Sequence, residues 1–172
     1  MAAEGYFDEL DLCFAWHPCD MAPSFDDMVS AASTDVTFEF FGKSAHAAMQ
    51  PWAGRSALDA AELMSVGVQY LREHITEDCK VHHSYLSAGT APNVVPEYAA
   101  VRYLVRSNDA GSDEILERVT AVAEGAALMT GTTMKRRVKS HCYGSLPNHV
   151  LNEFCYRAVG EVEPIAYTEE EY

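Results

Sequence analysis

The chain has 172 residues, 48% of them hydrophobic and 22% charged, which is enough for one domain with a core plus additional segments. Its formal net charge of −14 repels phosphate backbones and argues against nucleic acid as a partner. No run approaches the roughly 18 apolar residues that span a bilayer, and the start MAAEGYFDEL lacks the basic and apolar regions of a signal peptide, so no membrane association is expected.

Read in chain order, the opening segment alternates Leu10, Leu12 and Phe14 with Asp11 and Cys13, which predicts a short strand ending at Trp16-His17-Pro18. Residues 19–33 read as a connecting loop. Val36, Phe38 and Phe40 then alternate with Thr37 and Glu39, a second strand that Gly42 ends. Residues 43–55 form a loop rich in small side chains. Ser56 and Asp59 make a capping-box-like start, and Ala57, Ala60, Ala61, Met64, Val68 and Leu71 recur at helical spacing.

Residues 80–87 (KVHHSYLS) predict a strand, followed by the turn-like GTAPN. In the strand over 98–106, Ala99, Val101, Tyr103 and Val105 share one face and Arg102, Leu104 and Arg106 the other. Two arginines on one face put that face on solvent or on a cleft. A second helix covers about 112–129, with Ser112 as its N-cap and Gly131 just past its end. Residues 133–140 form another strand. There Lys135, Arg136, Arg137 and Lys139 hold a third of the chain's 12 basic residues, as in an edge strand kept soluble by charge. A helix over about 148–159 and an acidic tail follow.

Over residues 34–142 the order is strand, helix, strand, strand, helix, strand. That is the ferredoxin-like βαββαβ pattern of an α+β fold: an antiparallel sheet with two helices on one face and the other face open. The five cysteines, Cys13, Cys19, Cys79, Cys142 and Cys155, are odd in number and contain no C-x-x-C. Reduced thiols in a cytoplasmic protein are therefore expected, not a disulfide framework or zinc knuckle.

Four residues invite chemistry. His17 ends a predicted strand, a place where α/β enzymes put ligands, although a single histidine is weak grounds for a metal site. His46, in GKSAHAAMQP, sits among small residues where a substrate or another chain can approach. It can donate to a developing oxyanion or be a plain polar loop residue. Asn93, in GTAPNVVP, has an amide that can both donate and accept, or it serves the turn alone. Arg106 presents a fork suited to a carboxylate, or it is an exposed salt-bridging arginine. His82 and His83 point to opposite faces of one strand, so they cannot readily share a metal. Glu169, Glu170 and Glu171 read as a solvated acidic turn, and neither a phosphate-binding loop nor G-x-S-x-G is present.

The segments DLCFAWHP, FEFFGKSAHAAMQPWAGRSALDAAELM, GTAPNVVPEYAAVRYLVR and LPNHVLNEF…VGEVEPIAYTEEEY together resemble the family of dinuclear-metal exopeptidases and aminoacylases that includes carboxypeptidase G. The resemblance runs over nearly the whole chain. It implies a metal-bearing catalytic domain interrupted by a ferredoxin-like lid that also forms a homodimer. It further implies hydrolysis of an N-acyl amino acid, such as aminobenzoyl-glutamate, with two divalent metal ions (zinc or manganese) activating water.

In that picture His17 is a metal ligand and His46 the lid histidine that reaches into the partner's active site. Asn93 lies near the substrate and Arg106 binds its carboxylate. The family's early His-x-Asp or Cys-x-His metal motif, its Glu-Glu pair and its last metal histidine are not in this sequence. Residues 1–33 and 143–172 are then expected to be catalytic-domain flanks, 34–142 the lid, and the chain a truncation without a complete metal site and inactive alone. A stand-alone dimerisation module and a small-molecule sensor of ferredoxin-like fold are the alternatives.

Overall fold

The computed structural model describes residues 2–13, 30–108, 112–163 and 166–170. They divide into two units: residues 29–146, and residues 1–28 with 147–172.

The larger unit is built on four strands, β1 (Ala32–Phe41), β2 (Lys80–Ser87), β3 (Tyr98–Ser107) and β4 (Thr133–Cys142), and two helices, α1 (Ala57–Leu71) and α2 (Ser112–Thr130). The strands form one sheet in the order β2-β3-β1-β4, with every neighbouring pair antiparallel. This is the ferredoxin-like arrangement expected from the element order.

Strand periodicity sorts the side chains. Val36, Phe38 and Phe40 of β1 and Ala99, Val101, Tyr103 and Val105 of β3 are buried together with Met64 and Val68 of α1 and Ile115 and Val119 of α2. Alanines line the inner faces of both helices at Ala57, Ala60, Ala61, Ala123 and Ala126, which lets the helices sit close on the sheet. Phe38 meets Tyr103 edge to face at 5.8 Å, and burial pushes the Tyr103 phenol up to about 12. β4 is an edge strand, pairing only with β1.

The element ends follow their local chemistry. Ser56 Oγ accepts from the Asp59 backbone N–H at 3.1 Å and donates to the Asp59 carboxylate at 2.6 Å, closing the first turn of α1. Gly131 takes a φ of +64°. Its N–H reaches Leu128 O and the Thr132 N–H reaches Ala127 O, the two bonds of a Schellman ending to α2. Ser112 lies inside α2 as its first residue and is buried, so it does not take the capping position its side chain suggested.

In the smaller unit, α3 (His149–Gly160) is capped by Asn148, whose side-chain oxygen accepts from the Leu151 N–H at 3.1 Å. The strand expected over residues 10–14 is not formed at its described residues. Residues 10–13 are irregular, and Leu10 and Leu12 are exposed. Alternation predicts which face a strand buries, but it makes no strand without a neighbour to take its backbone hydrogen bonds, and no described strand pairs with this segment.

The connection from β1 to α1 allows no side chain at Gly42: an added Cβ would lie 2.0 Å from Arg55 O. That oxygen accepts the Lys43 N–H at 2.8 Å, and Arg55 N–H returns to Lys43 O at 2.9 Å. Gly42→Ala is expected to push these segments apart and lower stability by about 1–3 kcal/mol, the usual cost of overpacking. A thermal melt superposable on the wild type would show that the contact yields.

Candidate functional site

The two central strands do not stop at the sheet's edge. Gly42 N–H donates to Glu97 O, Val95 N–H to Ala45 O and Ala47 N–H to Asn93 O, and His46 bridges Val94. The β1–β3 ladder thus continues as an irregular ribbon with His46 and Asn93 at its tip. The chain then turns on the His46 carbonyl, which accepts from Met49 at 3.2 Å and Gln50 at 3.0 Å.

His46 is exposed and oriented. The Ala48 and Met49 backbone N–H groups both point at its Nδ1, at 3.3 Å. An Nδ1 that accepts leaves the proton of the neutral ring on Nε2, so the ribbon presents an N–H donor to whatever lies in front of it. Asn93 is exposed beside it, with no side-chain hydrogen bond among the described residues. Met49 and Trp52, in the segment that follows the histidine, are 69% and 75% exposed and leave apolar surface there. The sequence reading passed over both. Their composition signals burial, and only the fold shows them outside the core.

Arg106 lies at the other end of β3, across from Ser33 of β1. It lies eight positions along the strand from Tyr98, where the ribbon begins, so the two places are on the order of 25 Å apart at the usual strand rise. The structure therefore brings His46 and Asn93 together and leaves Arg106 apart. The amide stands on the ribbon and not on the open face with the guanidinium.

The open face itself separates its arginines. Arg102 grips Asp35 with two bonds, one of 2.7 Å from Nε. This guanidinium holds the Asp35 carboxyl below the usual aspartate range against the opposing effect of burial, helped by Lys139. Arg137 Nε donates to Glu39 at 2.6 Å and Tyr98 OH donates to its other oxygen at 3.0 Å. Arg137, then Tyr98, lowers the Glu39 carboxyl in the same way. On the helix-bearing side of the sheet, Arg136 is held by Glu117 and Thr120 of α2. The Arg106 side chain is exposed and has no hydrogen bond or ion pair among the described residues. It is the one described arginine of which this is true.

The pair of divalent metals implied by the resemblance does not fit the described residues. Among them no three His, Cys, Asp or Glu side chains come together as a metal centre. His17, proposed as a ligand, lies outside the described residues. No described helix is long and apolar enough to cross a membrane.

Comparison with known proteins bears on this arrangement. Residues 30–128 match the family profile of the peptidase dimerisation domain. The chain is 40% identical over 173 residues to a p-aminobenzoyl-glutamate hydrolase subunit of Escherichia coli K12, covering 99% of this chain and 36% of that protein. It is 35% identical over 152 residues to the Xaa-Arg dipeptidase of Mus musculus, covering 86% and 34%. Among solved structures, the aminobenzoyl-glutamate utilization protein of Klebsiella pneumoniae superposes with a TM-score of 0.64 at 27% identity, covering 78% of this chain and 34% of that one. The chain thus spans about a third of the length of the relatives it matches.

The two ion pairs on the open face make stability depend on acid. A carboxyl whose folded value is depressed contributes stability above its unfolded value and loses it as pH falls through the folded one. Melting temperature should hold from pH 7 to about 5 and drop below about 4, as Asp35 and Glu39 take up protons. Asp35→Asn should melt lower at neutral pH and converge on the wild type in acid; a gap that persists at low pH would contradict this.

Proposed function

We propose a function from one premise: this chain belongs to the M20 peptidase dimerisation domain family. On our reading it is the lid and dimerisation region of an amidohydrolase that cleaves the amide of an N-acyl amino acid, aminobenzoyl-glutamate being the candidate suggested by the Escherichia coli relative. Two copies associate through this domain. The chemistry that activates water falls to residues outside those described.

Three groups of this chain then act on the substrate. His46 Nε2–H donates to the carbonyl oxygen as it gains charge during attack, where a fixed donor counts for most. Asn93 adds an amide beside it. Arg106 takes the substrate's free carboxylate on its fork, a charge-assisted contact that also fixes orientation. Freedom from an internal partner suits Arg106 to this task and the locked Arg102 to a structural one.

The observation that carries the reading is the length of the sheet between Arg106 and the ribbon. It exceeds the span of an N-acyl amino acid, so one chain's His46 and Arg106 cannot meet on one substrate molecule. In a two-fold dimer each substrate takes its imidazole from one copy and its guanidinium from the other. The alternative of a module without catalysis has no use for this separation, or for an unpaired arginine.

Complementation between variants tests it. In the full enzyme that carries this chain, His46→Ala and Arg106→Met should each lose most activity. Co-expressed, they should recover about a quarter of wild-type turnover, because half the dimers are mixed and each mixed dimer holds one intact site. Absence of recovery, with mixed dimers demonstrated, would place both groups in one chain's site and defeat the proposal. The chain by itself should sediment as a dimer and show no amidase activity with added zinc or manganese.

A further inference from the structure

At the end of the sheet away from the ribbon, two cations stand side by side. Lys80 opens β2 directly across the ladder from Arg106. Directly opposed residues of an antiparallel pair share a face, with Cβ atoms about 5 Å apart, and like charges so placed cost stability. Both side chains are exposed. The chain has 26 acidic residues for 12 basic ones, so carboxylates to neutralise the pair are not scarce.

Neither cation has a described carboxylate partner. Lys80 Nζ donates to the backbone carbonyl of Glu77. Asp78 is close enough for the Lys80 charge to help lower its carboxyl, but that carboxylate is occupied first by the Thr76 hydrogen bond and by Asn108, whose side chain donates at 2.9 Å. Elsewhere on the same face the pattern is the reverse: Arg102 is spent on Asp35 and Arg137 on Glu39. Where Lys80 and Arg106 meet, Arg106 has no carboxylate and Lys80 has only the neighbouring Asp78, already hydrogen-bonded to other groups.

We propose that Lys80 is a specificity-determining residue, receiving the side-chain carboxylate of an acidic amino acid whose α-carboxylate lies on Arg106. The proposal rests on the reading of Arg106 given above and adds the residue that selects N-acylated amino acids with a second carboxylate over those without one. Two or three carbons separate the carboxylates of such a residue, and two long flexible cations rooted on facing strand positions can span them. An uncharged side chain gains nothing from Lys80, and a cationic one meets two like charges.

Titration of the chain by NMR, following the Lys80 and Arg106 backbone signals, needs no catalysis. N-acetylglutamate should bind about three- to tenfold more tightly than N-acetylglutamine, the range of one partly exposed charge contact, and N-acetylarginine most weakly. Lys80→Met should bring N-acetylglutamate down to the N-acetylglutamine level and leave the latter's affinity unchanged, with the spectrum elsewhere preserved. Arg106→Met should weaken all three ligands.

Retention of the glutamate preference in Lys80→Met, with Arg106→Met still weakening every ligand, would overturn the role of Lys80 alone. Unchanged N-acetylglutamine binding in Arg106→Met would overturn the reading of Arg106. No binding of any ligand at concentrations on the order of 10 mM, a standard free energy of under 3 kcal/mol, would overturn both.

Discussion

The backbone ladder between β1 and β3 is the constraint on which both the fold and the site depend. It pairs Ala32 with Ser107 at one end and Phe41 with Tyr98 at the other, then runs on through the ribbon to His46 and Asn93. The same alternation that turns Val101, Tyr103 and Val105 into the core turns Arg102 and Arg106 to the open face. A slip of one residue would drive both guanidinium groups under the helices and expose Tyr103, so this register is enforced by burial as much as by hydrogen bonds. Core packing and the placement of the candidate binding groups are two outcomes of one pairing.

Charge is distributed against the chain's average. The sequence is strongly acidic, yet Lys80, Arg102, Arg106, Lys135, Arg137 and Lys139 lie on two sheet edges and the open face between them. Most of this charge has a structural use. Arg102 ties down the buried Asp35 and Arg137 the largely sheltered Glu39, and Lys135 lies over the Phe41 ring at 5.3 Å. A protein with this net charge repels carboxylate ligands at long range. To bind one it needs a local surplus of positive charge, and a surplus persists only where the fold supplies no internal partner. The end of the sheet at Arg106 meets that condition.

Much of the fold could be read from the sequence because its signals were local. The βαββαβ order followed from period-2 and period-3.6 runs, the start of α1 from Ser56 and Asp59, and the end of α2 from Gly131. The failures came from information that is not local. Residues 10–13 alternate as well as some true strands do, but a strand is defined by its neighbour. Arg102 and Arg106 are equivalent in the pattern YAAVRYLVR. What separates them is that Asp35, which lies opposite Leu104 and midway along the face between the positions facing the two arginines, is taken by Arg102. That fact belongs to the register between strands nearly 70 residues apart. The candidates His46, Asn93 and Arg106 can be named from the sequence, whereas their distances cannot, because neither loop announces that it prolongs the central ladder.

That distance changes what dimerisation is for. The unit of residues 29–146 closes its own core: Phe38, Phe40, Tyr103, Met64 and Val119 are fully buried within a single chain. A second copy is therefore not required to complete a hydrophobic interior, as it is in obligate dimers with no stable monomer. On the proposed function the second copy is required by geometry. A rigid sheet holds its carboxylate-binding end and its imidazole-bearing ribbon too far apart for one small substrate, and no side-chain rotation closes a gap of that size. Repeating the same sheet about a two-fold axis brings opposite ends together without bending it, so the rigidity that keeps His46 and Arg106 apart in one chain lets a pair of chains position them on the same molecule.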